Sequence, residues 1–328
     1  MKSPLPTDAA LLGALFGSRG QRIPRQELAQ IAGLSPDMLE SHFAPYLEAG
    51  YPIQFHPQGG VSLLDPPDIW CAEEILGRCP PSGDPRDVRW TPLLLQETAS
   101  TNDVARDQGR RGTAAGFVVA ATRQTRGRGR LGRAWESATG CGLYVSILLR
   151  PGLTLAEAGR LTLLGSVAAA SAVETLTGLR PRIKWPNDLF IGDRKLGGIL
   201  IETEPSGTRV GFAVIGIGLN VNHAAEDFSP AVRDLATSLR LATGTPLRRA
   251  DLLVALLHAF TRQLRCDFSE TRATWAASSL TLGQRVTLTT ARGVKHGQAL
   301  GLDDSGALLL RNDAGEIETI TAGDMRAV

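Results

Sequence analysis

Phe117-Val-Val-Ala-Ala-Thr122, Arg126-Gly-Arg-Gly-Arg-Leu-Gly-Arg133 and Leu143-Tyr-Val-Ser-Ile-Leu-Leu149 follow one another in the stretch of chain that decides its fold. Two apolar runs of strand length bracket a loop. Arginines stand at 123, 126, 128, 130 and 133 with no acid among them. Glycine leaves the loop backbone free to wrap a ligand, and guanidinium offers forked donors to carboxylate and phosphate. Gly127, Gly129 and Gly132 also satisfy the dinucleotide fingerprint G-x-G-x-x-G. That fingerprint needs a helix to begin there and an acid about twenty residues on. A strand pattern follows instead, with Leu148 to Gly152 where the acid should be. The stretch therefore predicts a cationic loop between two strands, built for a small anionic substrate, and excludes a doubly wound dinucleotide fold. Solvated surface and nucleic-acid-binding Arg/Gly tails are the other uses of such runs, but those tails repeat and sit at termini.

The 328 residues carry 35 Lys+Arg against 33 Asp+Glu, a formal net charge of +2, and are 43% hydrophobic. That suits two or three domains with ample cores and gives no global field for nucleic acid or membrane. Cys71, Cys79, Cys141 and Cys266 form no C-x-x-C pair, and the histidines form no metal-ligand cluster, so a reduced, cytoplasmic setting is expected. The apolar start Ala9 to Phe16 follows Asp8 and reads as a core-facing helix, not a signal peptide. The longest apolar helix, around Leu155 to Leu176, is broken by Ser, Thr and Glu and spans no membrane.

The expected class is α+β. Residues 1–66 read as a winged helix-turn-helix: helices, a Gly33-Leu34 turn, Ser35-Pro36 opening a helix, and a hairpin around Gly59-Gly60. That helix carries Met38, Leu39, Phe43, Tyr46 and Leu47 as its apolar face. A linker is placed at 67–90, on a Pro/Gly/Arg-rich stretch from Gly77 to Arg89. Strands and helices mix over 91–279, predicting one mixed-sheet layer that ends in a long helix near 247–277. Residues 280–328 are short strands with turns at Arg292-Gly293, Asp304-Ser-Gly306 and Asn312-Asp-Ala-Gly315, a small β-barrel-like cap.

Three further segments carry chemistry. Ser100-Thr101-Asn102 opens a helix, either as a plain N-cap or as polar groups at a helix N-terminus holding a ligand. Lys184-Trp-Pro-Asn-Asp188 leads into the hairpin that returns Lys195. Trp-Pro usually marks a buried turn; Lys184 can neutralise a phosphate and Asp188 can work through magnesium. In Ile215-Gly-Ile-Gly-Leu-Asn220, two glycines let a flat ligand or another backbone approach a strand, and Asn220 can read an adenine edge. No Gly-Lys-Ser/Thr and no G-x-S-x-G occurs, so phosphates would have to be met by side-chain cations.

Together and in this order, Ser100-Thr-Asn102, Gly127-Arg-Gly-Arg-Leu-Gly-Arg133, Lys184-Trp-Pro-Asn-Asp188, Arg194-Lys-Leu-Gly-Gly198 and Gly216-Ile-Gly-Leu-Asn220 resemble the biotin protein ligases. The resemblance covers essentially the whole chain. It implies a winged helix-turn-helix of the ligase/repressor subgroup, a central α+β domain like class II synthetases, and an SH3-like C-terminal barrel. It implies ATP with magnesium, biotin as substrate and biotinyl-5′-AMP as intermediate. The implied partners are the biotin carboxyl-carrier domain of acetyl-CoA carboxylase, biotin-operon DNA and a second copy of the chain when the adenylate is bound. Ser100, Thr101, Asn102, Gln124, Arg128, Gly129, Arg130 and Lys195 would hold biotin. Arg128, Lys184, Asn187, Asp188 and Asn220 would serve ATP, with Arg128, Lys184, Asp188 and Lys195 catalytic. Dedicated metal ligands are not expected; magnesium would travel with ATP near Asp188.

The first domain departs from this pattern. No lysine or arginine occurs between Arg25 and Arg78, and the expected recognition helix carries Asp37 and Glu40. Lys2, Arg19, Arg22 and Arg25 alone supply phosphate contacts, with Ser35, Ser41 and His42 as polar readers. Leu131 and Gly197-Gly198 also depart, from a second basic residue and a bulkier pair, and leave the chemistry intact. The rival functions are a lipoate-type ligase and a biotin-responsive regulator without ligase activity.

Overall fold

The computed structural model describes residues 6–79, 84 and 86–327. Lys2 and the middle of the expected linker lie outside them. The N-terminal unit contains α1 (Thr7–Gly17), β1 (Ile23–Pro24), α2 (Arg25–Ala32), α3 (Leu39–Glu48), β2 (Ile53–His56) and β3 (Gly60–Leu63). Its three strands form a sheet in the order β1-β3-β2. α2 ends at Gly33, whose φ of +68° is open to glycine at little cost. Leu39, Phe43 and Tyr46 are buried on one stripe of α3, while Met38 and Leu47, expected on that face, are exposed. The reason is angular: 39, 43 and 46 follow i, i+4, i+7, and the other two flank that stripe.

A helix, α4 (Ala72–Arg78), occupies the part of the chain read as linker. Its Gly77 lies so close to α1 that a Cβ there would stand 1.9 Å from the Ala9 carbonyl oxygen. The carboxyl side chain of Glu74 on α4 is fully buried. It accepts from Tyr51 Oη at 2.5 Å, Arg78 at 2.6 Å and Arg248 at 3.0 and 3.2 Å, and both arginines also reach Asp251. A buried carboxylate is tolerable only with such partners. This cluster fastens the N-terminal unit to the helix that begins at Arg249.

The central sheet comprises β4 (Thr91–Thr98), β5 (Phe117–Gln124), β6 (Gly142–Leu149), β7 (Arg182–Lys184), β8 (Asp188–Ile191), β9 (Arg194–Ser206) and β10 (Arg209–Asn220). Its order is β4-β5-β6-β10-β9-β8-β7, with β4 and β5 parallel and every other pair antiparallel. α5 (Thr101–Arg110) covers one face. α6 (Gly159–Thr177), α8 (Arg249–Arg265) and α9 (Phe268–Ala277) lie on the other side, and α7 (Leu239–Thr243) is a short turn before α8. Strand alternation sorts the residues. Leu143, Val145, Ile147 and Leu149 of β6 and Ala213, Ile215, Ile217 and Leu219 of β10 enter the large core beneath α6 and α8. Leu148 and Val214 pack with Ala105 under α5. On that second face Ser146, Gly216, Gly218 and Asn220 continue beyond the apolar patch, and there the site opens. The single long helix expected at 247–277 is two, because Cys266 and Asp267 are extended (ψ 150° and 154°) and break it.

The C-terminal strands β11 (Arg285–Thr290), β12 (Gly293–Leu302), β13 (Leu308–Arg311), β14 (Ile317–Ile320) and β15 (Asp324–Ala327) pair antiparallel in the order β14-β13-β12-β11-β15. All three expected turns join them. Val286, Leu288, Ala299, Leu308 and Leu310 belong to the same continuous core as the central sheet. Glu74→Ala would leave Arg248 and Arg78 sharing only Asp251. It is expected to cost about 3 kcal/mol or more of stability in urea unfolding, and a change below about 1 kcal/mol would show the cluster to be dispensable.

Candidate active site

β4 delivers the chain to Ser100, which occupies the N-cap position of α5 in extended conformation, but its side chain makes no cap hydrogen bond. Capping therefore does not account for this residue. Ser100, Thr101 and Asn102 are all buried, at the edge of a cavity of about 140 Å³. The Thr101 amide donates to Gln124 Oε1 at 2.9 Å, and the Thr101 hydroxyl lies 3.1 Å from the same oxygen. Ser146 Oγ lies 2.7 Å from Thr101 Oγ1 and 2.6 Å from Asn102 Oδ1. Asn102 Oδ1 can only accept, so the single Ser146 proton goes there and Thr101 is left to donate. Asn102 Nδ2 donates one hydrogen to Glu202 at 2.8 Å, keeping a second for a ligand. The result is a polar floor with each group's direction set, matched to a small ligand with both donors and acceptors.

Two glycines of β10 make this floor possible. A Cβ on Gly216 would stand 2.3 Å from Asn102 Oδ1, and one on Gly218 2.6 Å from the Trp135 ring. Both close approaches require glycine.

The arginine loop folds back on itself: Trp135 donates to the Gly127 carbonyl at 2.9 Å and Gly129 to that of Arg133 at 2.7 Å. Its crest is Leu131, in the left-handed region at φ 56° and well exposed. Arg128 donates to Asp103 at 2.7 and 3.2 Å and to Glu202 at 3.3 and 3.4 Å, and the Asp103 hydrogen bond chiefly raises its pKa. Arg130 donates to Asn187 Oδ1 at 3.3 Å and to the Gly323 carbonyl at 3.2 Å, with burial lowering its pKa. It stays a cation all the same. Arg133 pairs with Asp324. β15 thus holds the loop from across the molecule.

Lys195 Nζ lies 2.7 Å from Asp188 Oδ1 and 5.8 Å from the centre of the Trp135 ring. Lys195 and Trp135 line the first cavity and also a second, of about 180 Å³, bounded by Asn220, His223 and Phe228. Asn220 Nδ2 donates to the Thr237 carbonyl at 3.0 Å, which leaves its Oδ1 for a ligand. His223 stacks on Phe228 with ring centres 5.0 Å apart, and burial pushes its pKa down to about 4 despite Asp227 and Glu136. Two cavities sharing a lysine suit a reaction between two bound molecules.

Of the residues singled out in the sequence, Ser100, Thr101, Asn102, Gln124, Arg128, Gly129, Arg130, Asn187, Asp188 and Lys195 line the first cavity, and Lys195 and Asn220 the second. Lys184 lines neither. It lies on β7, the outermost strand, with its ammonium 5.8 Å from the centre of the Phe190 ring. Of the residues proposed to meet DNA, Arg22, Arg25, Ser41 and His42 are engaged within the N-terminal unit. Arg25 pairs with Glu40 at 2.8 Å and His42 with Asp8 at 2.6 Å. Arg22 donates to Gln58, Ser41 donates to the Met38 carbonyl at 2.8 Å, and Ser35 forms no cap bond. The sequence reading missed Asp103, Ser146, Glu202, His223 and Asp324. Ser146 had a signal, a lone hydroxyl in an otherwise apolar strand, and Glu202 lies in phase with Gly198 on β9. Asp324 had none.

Residues 94–220 match the Biotin/lipoate A/B protein ligase family, and residues 281–325 match the Biotin protein ligase C terminal domain. The Bifunctional ligase/repressor BirA of Bacillus spizizenii is 33% identical over 99% of both chains. The Biotin--[acetyl-CoA-carboxylase] ligase of Paracoccus denitrificans is 35% identical over 68% of this chain and 95% of its own. Among solved structures, the biotin protein ligase from Aquifex aeolicus in complex with biotin and ATP superposes with a TM-score of 0.62 at 30% identity, covering 72% of this chain and 99% of that one.

His223 titrates well below its ordinary value, so the unfolded chain binds the extra proton first. Its contribution to stability is complete above about pH 6.5 and is lost as pH falls toward 4. Urea unfolding of the wild type should weaken over that window more than that of His223→Gln, and parallel declines would show that His223 titrates normally.

Proposed function

The chain belongs to the biotin/lipoate A/B protein ligase family, and on that premise we propose that it is an ATP-dependent biotin–protein ligase. It joins biotin to ATP as biotinyl-5′-AMP, releases pyrophosphate, and passes the biotinyl group to one lysine of a biotin carboxyl-carrier domain such as that of acetyl-CoA carboxylase. The observation that carries this reading is the shared wall: Lys195 and Trp135 line both cavities. The polar floor of Ser100, Thr101, Asn102 and Gln124 takes the ureido ring of biotin, and the second cavity, with Asn220, takes the adenine.

The two carboxyl-to-phosphate partners are both anions, and bringing them together is the physical difficulty. A biotin carboxylate oxygen bonds to the α-phosphorus while the bond from that phosphorus to the pyrophosphate oxygen breaks. Lys195 stands at the junction, and Arg128 and Arg130 reach in from the loop. Fixed cations at that point stabilise the transition state more than the ground state. In the second step the carrier amine attacks the acyl carbon, AMP leaves, and the amine loses a proton. No side-chain nucleophile is required. Closure of the loop shields the acyl-adenylate from water. Among the described residues no group of three or more His, Cys, Asp or Glu side chains could hold a metal ion. Magnesium typically arrives on nucleotide phosphates, which it helps neutralise, with one or two protein carboxylates, and Asp188 would be the carboxylate to hold it. Lys184, outside both cavities, has no assigned part.

We read the N-terminal unit as a winged helix-turn-helix and the C-terminal sheet as an SH3-like barrel, with domains at 1–66, 91–279 and 280–328 joined by 67–90. No helix of the described residues is long and apolar enough to cross a membrane, and the proposed setting is the cytoplasm. Operator binding, with dimerisation on the adenylate, is the second reading, because the match to the ligase/repressor relative extends over the N-terminal unit. The pairing of Arg25 with Glu40 weighs against tight binding, since phosphate contacts dominate such affinity.

The purified chain with biotin and ATP should release pyrophosphate and label a carrier domain. Lys195→Ala should cut the first step about a hundredfold or more. Absence of biotin-dependent pyrophosphate release would sink the ligase reading. In a gel shift with DNA upstream of the host's biotin-synthesis genes, we expect weak binding with a shallow salt dependence. A tight, steeply salt-sensitive shift would overturn that expectation and leave the ligase reading intact.

A further inference from the structure

Arg128 is assigned above to the anions of the reaction, yet its donors are already engaged by two carboxylates of the protein. Asp103 lies in the first turn of α5 and Glu202 on β9, opposite Val214. Arg128 Nη2 lies 2.7 Å from Asp103 Oδ1 and 3.3 Å from Glu202 Oε1. A second guanidinium, Arg106, reaches the same pair: Nη2 lies 2.7 Å from Asp103 Oδ1 and Nη1 3.8 Å from Glu202 Oε1. Two acids and two arginines make a balanced quartet, of which Arg128 lines the first cavity. Arg106 is one helical turn beyond Asp103 and fixed to the body of the fold, whereas Arg128 sits on the glycine loop between Gly127 and Gly129.

We propose that Asp103 and Glu202 form an internal anion that competes with substrate for Arg128, and that Arg106 remains on both carboxylates when Arg128 turns to the substrate's phosphates. Four part-exposed side chains form the quartet, with side-chain exposures of 26 to 36%, so each pair is weak and exchange costs little. Without Arg106, departure of Arg128 would leave Asp103 and Glu202 with no cation, Glu202 keeping only the hydrogen bond from Asn102, and like charges would oppose binding of an anion. Without the carboxylates, Arg128 would have no partner to give up. Asp103 and Arg106 are therefore positioning residues, acting on substrate only through Arg128. Glu202 acts in addition on Asn102, which makes Asp103 the cleaner position to test.

The inference rests on the ligase reading, and its signature is a pair of opposite signs. Binding of ATP with magnesium to the full chain, measured by calorimetry, should tighten about two- to fivefold in Asp103→Asn, the weight of one part-exposed ion pair. In Arg106→Gln it should weaken by a similar factor. Both effects should shrink as salt is raised. Trypsin, in the absence of nucleotide and biotin, should cut the 126–133 loop faster in Asp103→Asn than in the wild type. If Asp103 merely braces the fold, both variants weaken binding, and that result overturns the inference. So does an unchanged constant in either variant. Should Asp103→Asn fail to fold, Glu202→Gln, whose amide oxygen still accepts from Asn102, takes its place, and weaker or unchanged binding in it overturns the inference. A wild type that releases no pyrophosphate with biotin and ATP removes the ligase reading and this inference together. An active wild type with the wrong signs removes the inference alone.

Discussion

The site depends on two places where β10 has no side chain. Asn102 rests against Gly216 and Trp135 against Gly218, each so close that a Cβ could not be accommodated. Trp135 in turn forms the wall between the two cavities, and Asn102 turns its amide between Ser146 and Glu202. A methyl group on either glycine would lift one of these side chains off the strand and change both cavities. The strand stays straight through this region because it is paired on both sides, with β6 and β9, in continuous register. Backbone hydrogen bonding therefore supports a bare stretch that packing alone would leave weak.

Charge is the second constraint. The arginines that the loop presents are distributed among different holders: Arg128 to the α5 and β9 carboxylates, Arg130 to Asn187 and the Gly323 carbonyl, Arg133 to Asp324. A loop so rich in one sign of charge would repel itself if left alone. Its shape is instead held by partners on α5, β9 and β15 and in the connections at Asn187 and Gly323. The C-terminal sheet takes part in this, since Asp324 of β15 and the Gly323 carbonyl just before it supply two of the contacts, and its core is continuous with that of the central sheet. The N-terminal unit is tied to the catalytic body differently, by the buried Glu74 cluster and the tight contact of α4 with α1. Those are strong, desolvated contacts, in contrast to the weak, part-exposed pairs around the loop. The division suits the proposed tasks, because a loop that is to admit substrate must be easy to release and a domain junction need not be.

Much of the fold was legible before any coordinates. The strands flanking the loop, the helix that Ser100-Thr101-Asn102 opens, the hairpin that returns Lys195, and the three C-terminal turns all follow from periodicity and turn residues. Where the reading failed, local pattern and tertiary context disagreed. α4 was concealed by Gly77 and the proline-rich stretch after it; the helix forms because Glu74 is held by Tyr51 and Arg248 from elsewhere in the chain. The break at Cys266-Asp267 carries no proline or glycine to announce it. Met38 and Leu47 are apolar without being buried, since one helix face has room for a single stripe.

By itself the sequence determined which residue types line the first cavity: the glycine-spaced arginines, the hydroxyl–amide run at the head of α5, the lysine after a tight turn and the bare strand at 216–218. Each of these is local, because it concerns spacing, backbone freedom or the chemistry of one side chain. Only the tertiary structure decided which charges neighbour which. Asp103 and Glu202 lie about a hundred residues apart, Arg133 and Asp324 nearly two hundred, and nothing in either stretch announces the other. It also placed Lys184 on the edge strand β7, outside the lining of both cavities. Electrostatic partnership acts over a few ångströms in space irrespective of distance along the chain, and so only the folded molecule could show how the arginines are held.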